Sequence, residues 1–442
     1  MRSHISNAAY GVLDYAAYPV AMLIAAPTLL HHLGTAQYGV WVVCTAAISA
    51  GGIVASGFGD ANIQHVATMR GRGNADALLR AVRSMVGINL LLGSVIALTA
   101  LALVPTLSRH VVSSDVSLYA ACLRSLRIAS VLMLVRAIES VCISTQRAFE
   151  HYGEAVRVSI LVRMVTIAFA AVVTLFGYGV TSIMAFTFAA MTMGTVLQLL
   201  QLKRLTSASS LWPIFDREAI DALFGFGVFS WLQAVSGVLF SQADRLILGV
   251  SLGATAVTSY ALCVQMAQPI YGIAASGLHF LFPYLAGRQA VASQPKQLRK
   301  AVLIAFTVNL LFVLCATAAV LLCGRPLLHA WVGDEIAQSS AAVLSPIVWS
   351  FALLGLNVTG YYAMLALGRV RVVAGLNFLA GAAMLLTMAW LLPRVGIRGV
   401  AMARLIYSIV MLTMYYPLLR VLLSAPRPPL TMSGVYPVWE DA

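Results

Sequence analysis

A succession of apolar runs, each about 20 residues long and separated by short polar connections, constrains this 442-residue chain more than any other feature. The runs fall near 9–31, 37–58, 85–107, 118–145, 156–176, 180–202, 220–242, 246–284, 301–323, 340–366, 371–392 and 397–420. A helix that crosses a bilayer needs about 20 apolar residues, so about twelve spans and their connections use up the chain. No room is left for a large water-soluble catalytic domain. Composition agrees: 61% of residues are apolar, 10% are charged and the mean hydropathy is +0.90. Ordinary soluble domains carry about 25% charged residues. The expected class is an all-α polytopic membrane protein.

The formal net charge is +13, a balance that in a soluble chain would suggest nucleic acid. Here the basic residues stand in small groups between apolar runs, with no basic stripe and no interleaved aromatics, so nucleic-acid binding is not expected. Their distribution sets topology instead, because Lys and Arg near span ends accumulate on the cytoplasmic side. With the N-terminus inside, the inside segments hold 18 Lys and Arg and the outside segments hold five: Arg109, Arg245, Arg325, Arg394 and Arg398. That split predicts both termini in the cytoplasm. Asp14 interrupts the first apolar run, which reads as an uncleaved first span, with a signal peptide as the alternative. The six cysteines lie mostly in apolar runs without CxxC spacing, and read as packing residues.

Residues 203–219 form the most polar internal stretch and divide the spans six and six. The expected organisation is an N-terminal six-helix bundle (1–202), a cytoplasmic linker (203–219) and a C-terminal six-helix bundle with a short tail (220–442). The halves also repeat. His32–Trp41 aligns with Ser251–Tyr260 at an offset of 219, placing Leu33-Gly34 over Leu252-Gly253. Repeat-built transporters bind substrate between their halves near the midplane.

The same segments carry a family resemblance. Leu33-Gly34, Tyr38-Gly39-Val40-Trp41, Gly57-Phe58-Gly59 and Val66-Ala67 resemble the first two helices of Wzx-type oligosaccharide flippases. Ser241-Gln242-Ala243-Asp244-Arg245-Leu246-Ile247-Leu248-Gly249, with Leu252-Gly253, Tyr260 and Phe282-Pro283, resembles the start of their second half. Such flippases belong to the multidrug/oligosaccharidyl-lipid/polysaccharide (MOP) exporter superfamily. The chain departs from the pattern at Ser56, where an acid is usual, and at Thr258, where Gly is usual. The resemblance implies a MATE-like fold of two six-helix bundles rocking about a central cavity. It also implies a polyprenyl-pyrophosphate-linked oligosaccharide as substrate, in the inner membrane of a bacterium. Membrane lipids, and the polymerase and chain-length components of a surface-polysaccharide pathway (O-antigen or exopolysaccharide), would be its partners. The sequence offers no site for ATP, which leaves H+ or Na+ as candidate coupling ions.

An ionisable side chain in the hydrocarbon zone costs about 2.5–3.5 kcal/mol on insertion scales, so each one faces a cavity or a partner. On the fourth span, Arg124, Arg136 and Glu139 share one side within about 120° at 100° per residue, and Arg127 lies outside that stripe. Two readings fit. Arg136 and Glu139 at i,i+3 form a neutral pair while Arg124 and Arg127 reach the headgroups, or the stripe lines a water-filled cavity. For a lipid-linked sugar, the cavity reading gives the pyrophosphate its partners, since guanidinium forks match phosphate oxygens. Arg163 has no acid at i±3 or i±4 and is the leading headgroup candidate, followed by Arg136, Arg124 and Arg404. Asp14 reads either as a residue of the helix's first turn or as a coupling site; Glu139 reads as a charge partner or a coupling group. Asp244-Arg245 reads as the outer end of the seventh helix. Gly51, Gly52, Gly57, Pro269 and Gly272 crowd the second and eighth spans, where they serve close packing or bending.

No HExxH or P-loop occurs, and no carboxylate or Cys stands at ligand spacing to the histidines. No metal, cofactor or enzymatic activity is expected. A membrane glycan polymerase or ligase would need acid–base groups on a sizeable outer loop. The longest one, read at Gly324–Ser340, holds the adjacent acids Asp334-Glu335 and no second acid cluster. A cation-coupled multidrug exporter of the same superfamily is the main alternative, and it calls for a more acidic, aromatic cavity.

Overall fold

A computed structural model describes residues 2–56, 58–71, 74–112, 116–149, 151–217, 231, 237, 241–278, 281, 285 and 295–423. Among the described residues every regular element is a helix: α1 (Arg2–Ser56), α2 (Gly59–Gly71), α3 (Ala75–Val111), α4 (Val116–Ala148), α5 (Tyr152–Leu175), α6 (Val180–Leu205), α7 (241–252), α8 (Ala254–Gly277), α9 (Pro295–Ala366), α10 (Val370–Val395), α11 (Ile397–Leu412) and α12 (Tyr415–Leu423). Eight described stretches are long and apolar enough to cross a membrane. Large apolar side chains such as Leu98, Leu161, Leu303 and Leu386 stand exposed along them. In water such a surface would be an aggregation hazard; in a bilayer it faces the solvent it is made for. The chain is a multi-pass membrane protein.

Single glycines turn the chain between spans. Gly34 (φ 73°, ψ 167°) breaks α1 and Gly333 (φ 76°, ψ 172°) breaks α9. Gly253 (φ 84°, ψ 177°) separates α7 from α8. This region of backbone space is open almost only to glycine, and a one-residue turn keeps polar backbone in the membrane zone to a minimum. Two of these glycines make the internal repeat visible: Gly34 and Gly253, aligned in sequence, share one conformation. At the same offset of 219, Gly177 and Gly396 both take positive φ, at 79° and 59°.

Side-chain contacts repeat as well. In the first half Asn89 Nδ2 donates to the Ala137 carbonyl (3.4 Å); in the second, Asn309 Nδ2 donates to the Gly355 carbonyl (2.8 Å). Each bond ties neighbouring helices through a buried amide. Beside it the small partner switches sides. Gly93 admits Ala137 in the first half, and Gly355 admits Val313 in the second.

Two boundaries read from the sequence need correction. The seventh helix does not end at 242: residues 241–252 are helical and the turn comes at Gly253. The polar Ser241–Arg245 segment is a dip of hydropathy inside a helix, so Arg245 is no outer-loop charge. The stretch 324–340 is likewise helical except at Gly333. His329 Nδ1 and Asp334 Oδ1 meet 2.8 Å apart on the surface beside that turn.

The polar linker straps onto α3. Arg83 Nε donates to the Trp212 carbonyl (2.8 Å), the Ile214 amide to the Arg83 carbonyl (3.4 Å), and the Asp216 amide to Ser84 Oγ (3.2 Å). Arg80 pairs with Asp216 at 3.2 Å. Gly87 makes room for the strap, since a Cβ there would lie 2.8 Å from the Ile214 carbonyl oxygen.

Candidate functional site

The halves meet along α1 and α8, and near the Gly34–Gly253 end they touch closely. A Cβ on Gly39 would lie 2.5 Å from the Ala254 carbonyl carbon. Thr258 Oγ1 donates to the Thr35 carbonyl (2.7 Å), and one turn deeper Gln265 Nε2 donates to the Tyr38 hydroxyl (2.9 Å). Below these contacts opens a cavity of about 550 Å³ between α1 and the second half. Trp41, Thr45 and Ser49 of α1 line one side. Opposite stand the amides of Gln242, Gln268, Asn357 and Asn377 and the phenols of Tyr271, Tyr361, Tyr362 and Tyr407. Ala275 and Tyr362, toward the far ends of α8 and α9, also border it, so the cavity runs away from the closed end.

Arg245 and Arg404 are the charged residues on the described wall, which carries no carboxylate. Arg245 lies eight residues before Gly253 and Arg404 eight after Gly396, so both sit about 12 Å below those turns. Behind them Asp244 is fully buried, with relative exposure of 0%. Its Oδ1 accepts from the Arg245 amide (2.8 Å), and its Oδ2 accepts from the Tyr260 hydroxyl (2.7 Å) and from Arg404 in a short ion pair. The Arg404 guanidinium also lies 4.6 Å over the Phe351 ring, and Arg245 donates to Gln242 Oε1 (3.3 Å). The Nε of each arginine is buried without a hydrogen-bond partner. Two guanidiniums and one carboxylate give the site a net positive charge on a wall otherwise made of amides, phenols and apolar groups.

Of the four arginines singled out in the sequence, Arg404 is on this wall. Its guanidinium is buried against Asp244. The reading of Asp244-Arg245 as a helix end is overturned. Arg124, Arg136 and Arg163 are not among the residues lining this cavity. Arg124 is exposed, its Nε on the Ala120 carbonyl of its own helix (3.2 Å). Arg163 lies half-buried at the middle of α5. Arg136 and Glu139 meet at 2.6 Å, and Glu139 Oε1 accepts from Ser159 Oγ (3.0 Å), which in turn accepts from Gln198 Nε2 (3.2 Å). That chain joins α4, α5 and α6. Asp14 falls on α1 with its side chain outside the described residues, and Gly57 also lies outside them. Gly51 and Gly52 are packing positions, where added Cβ atoms would meet Met133 Sδ at 2.5 Å and Arg136 Cβ at 2.9 Å. Pro269 and Gly272 lie inside α8, which stays helical to Gly277.

Tyr260, Gln242 and the Asp244–Arg404 pair were not singled out as a group from the sequence. The repeat held the signal. A turn at Gly34 in the first half puts its counterpart at Gly253, which makes Asp244 a helix-interior acid in need of a partner.

Comparison with known proteins places this geometry. Residues 32–341, well over half the chain, match the model of a family described as polysaccharide biosynthesis protein. Among solved structures, an inward-facing multidrug resistance MATE family transporter of the MOP superfamily superposes with TM-score 0.72 at 15% identity, covering 93% of this chain and 94% of that one. The lipid II flippase MurJ in an inward closed conformation superposes with TM-score 0.74 at 12% identity, covering 92% and 87%. An outward-facing MATE family transporter gives 0.56 at 15% identity, covering 92% and 95%. No curated protein sequence matches the chain. The glycine-turned, twice-repeated helical fold is therefore MATE-like, and by its sequence the chain belongs to the polysaccharide biosynthesis protein family.

Proposed function

We propose that this protein is a flippase that moves a polyprenyl-pyrophosphate-linked oligosaccharide, the repeat unit of a surface polysaccharide, across a bacterial inner membrane. The observation that carries the reading is the charge of the cavity wall: Arg245 and Arg404 with no carboxylate among the described lining residues. An anionic diphosphate gains from such a wall, and amides and phenols suit sugar hydroxyls. The lipid tail would stay in the bilayer while diphosphate and sugar pass between the bundles, residues 1–202 and 220–442, as they rock. The closer superposition on the inward-facing MATE transporter than on the outward-facing one supports a state closed at the Gly34–Gly253 end. H+ or Na+ remain the candidate coupling ions, with Asp14 and Glu139 as candidate groups. The protein relocates its substrate and makes no new bond, unlike a polymerase or ligase.

Deleting the gene in its native host and analysing membrane lipids tests the reading. A lipid-linked oligosaccharide should build up while the surface glycan disappears. Normal surface glycan with no build-up would overturn it. A cation-coupled drug exporter, the rival, would instead lower resistance to cationic compounds when deleted, and a wall bearing two arginines is poorly suited to that cargo.

A further inference from the structure

We propose that Asp244 is a built-in competitor for the guanidinium that meets the substrate's phosphates, so that it sets which anions the cavity accepts and how readily they leave. The inference rests on the flippase reading above and concerns the same cavity. Arg404 is shared between two environments: it borders the cavity, yet it is held from behind by Asp244. A guanidinium has five donors, and the Nε of Arg404 is buried with no hydrogen-bond partner. Asp244 is built to let go. Its carboxylate takes the Arg245 amide on one oxygen and the Tyr260 hydroxyl on the other, so it keeps two donors when Arg404 turns away.

The cavity is therefore not a vacant cationic site. An entering anion has to outbid a carboxylate already in place. A small monoanion exchanges one charge-assisted bond for another and gains little. A diphosphate ester bridging Arg404 and Arg245 brings more charge and more acceptor oxygens, and gains from both forks. When it departs, Asp244 recaptures Arg404, so release does not strand a buried cation. The predicted signature separates this role from a merely structural one: neutralising the competitor tightens anion binding and slows export, whereas loss of a structural prop weakens both.

The test uses the purified full-length protein in lipid nanodiscs, titrated calorimetrically with inorganic pyrophosphate and, separately, inorganic phosphate. Asp244→Asn should bind pyrophosphate roughly tenfold to a hundredfold more tightly than the wild type, the worth of one charge-assisted bond. It should also discriminate less against phosphate, and export more slowly in cells at equal abundance. Tyr260→Phe keeps the volume but removes a donor from the oxygen that Arg404 uses. The carboxylate then grips Arg404 harder, and pyrophosphate should bind several-fold more weakly. Equal or weaker binding by Asp244→Asn overturns the proposal, as does the absence of binding by both wild type and variant. Should Asp244→Asn fail to accumulate, Tyr260→Phe decides: unchanged or tighter binding overturns it. An unchanged titration alongside an intact deletion phenotype removes the competitor alone. A deletion without build-up of lipid-linked sugar removes the flippase reading itself.

Discussion

The seam between the halves depends on the absence of one methyl group. At Gly39 a Cβ would lie 2.5 Å from the Ala254 carbonyl carbon and 2.9 Å from its Cα. These are backbone atoms at the first residue of α8, so no side-chain rotation relieves the clash. The Ala254 carbonyl oxygen lies closer still, so restoring ordinary van der Waals contact parts α1 from α8 by more than about 1 Å in a tightly packed seam. That stretches the Thr258–Thr35 bond, now 2.7 Å, beyond good geometry. Overpacking of this kind costs about 1–3 kcal/mol, which as a bias between two conformations is about 5- to 150-fold. Gly39→Ala should therefore shift the protein away from the closed seam while leaving each bundle folded. The assay is a spin-label distance between sites on the ends of α1 and α8 that face the seam, measured in nanodiscs. Gly39→Ala should populate a longer distance and slow surface-glycan export at normal abundance. Gly34→Ala is the control: nothing lies within 4 Å of its Cβ, and its strain comes from φ alone. An unchanged distance distribution in Gly39→Ala would refute the reasoning, because the clash would then have been absorbed without moving the seam.

Arg404→Ala leaves the buried Asp244 carboxylate with the Arg245 amide and the Tyr260 hydroxyl, so it should cost less than the ~3–5 kcal/mol of a fully stranded buried charge, seen as lowered membrane abundance; adding Asp244→Asn should restore abundance but not export, and restored export would show the pair to be purely structural. Arg404→Lys keeps the charge and loses the fork, so it should impair export more than Arg163→Lys does at matched abundance; the reverse order would return the headgroup contact to the first half. In a background without the exposed Cys315 and Cys323, cysteines at Ser209 and Gln338 should be labelled from the cytoplasm and the periplasm respectively, and the opposite pattern would overturn the topology with both termini inside. Gly87→Leu should push the Ile214 segment off α3 and raise protease sensitivity between residues 206 and 217, and unchanged cleavage would show the strap to be held elsewhere.

The helical, membrane-spanning character, the repeat and the Arg136–Glu139 pair as one of two readings were legible in the sequence because each depends on local order: hydropathy over about 20 residues, a fixed offset, an i,i+3 spacing. The site was not legible, because its members are distant in sequence. Asp244 and Arg404 stand 160 residues apart, and nothing local in the sequence joins them. The hydropathy dip at Ser241–Arg245 suggested a loop because a window average cannot tell a loop from a buried ion pair. The lack of an acid one turn from Arg163 was legible too, but not which side of α5 faces the seam; neighbouring helices decide that.

The two halves also differ in a way that bears on where substrate charge is handled. They share the turn glycines at 34 and 253 and at 177 and 396, and the asparagine ties at 89 and 309, so the scaffold is common to both. Their intramembrane charges are not. In the first half Glu139 is closed in by Arg136, Ser159 and, through that serine, Gln198. This network ties three helices of one bundle together. In the second half Asp244 holds an arginine that borders the cavity, and Tyr260, the partner of its other contact, stands at the repeat position of Trp41 in the first half. Trp41 carries no hydroxyl to steady a carboxylate, and it lies on the cavity wall itself. The first half thus offers the cavity an apolar and hydroxyl-bearing face, and the second supplies its charge. If the proposed flippase function holds, substitutions of charge in the second half should act on anion binding and those in the first half on movement or stability.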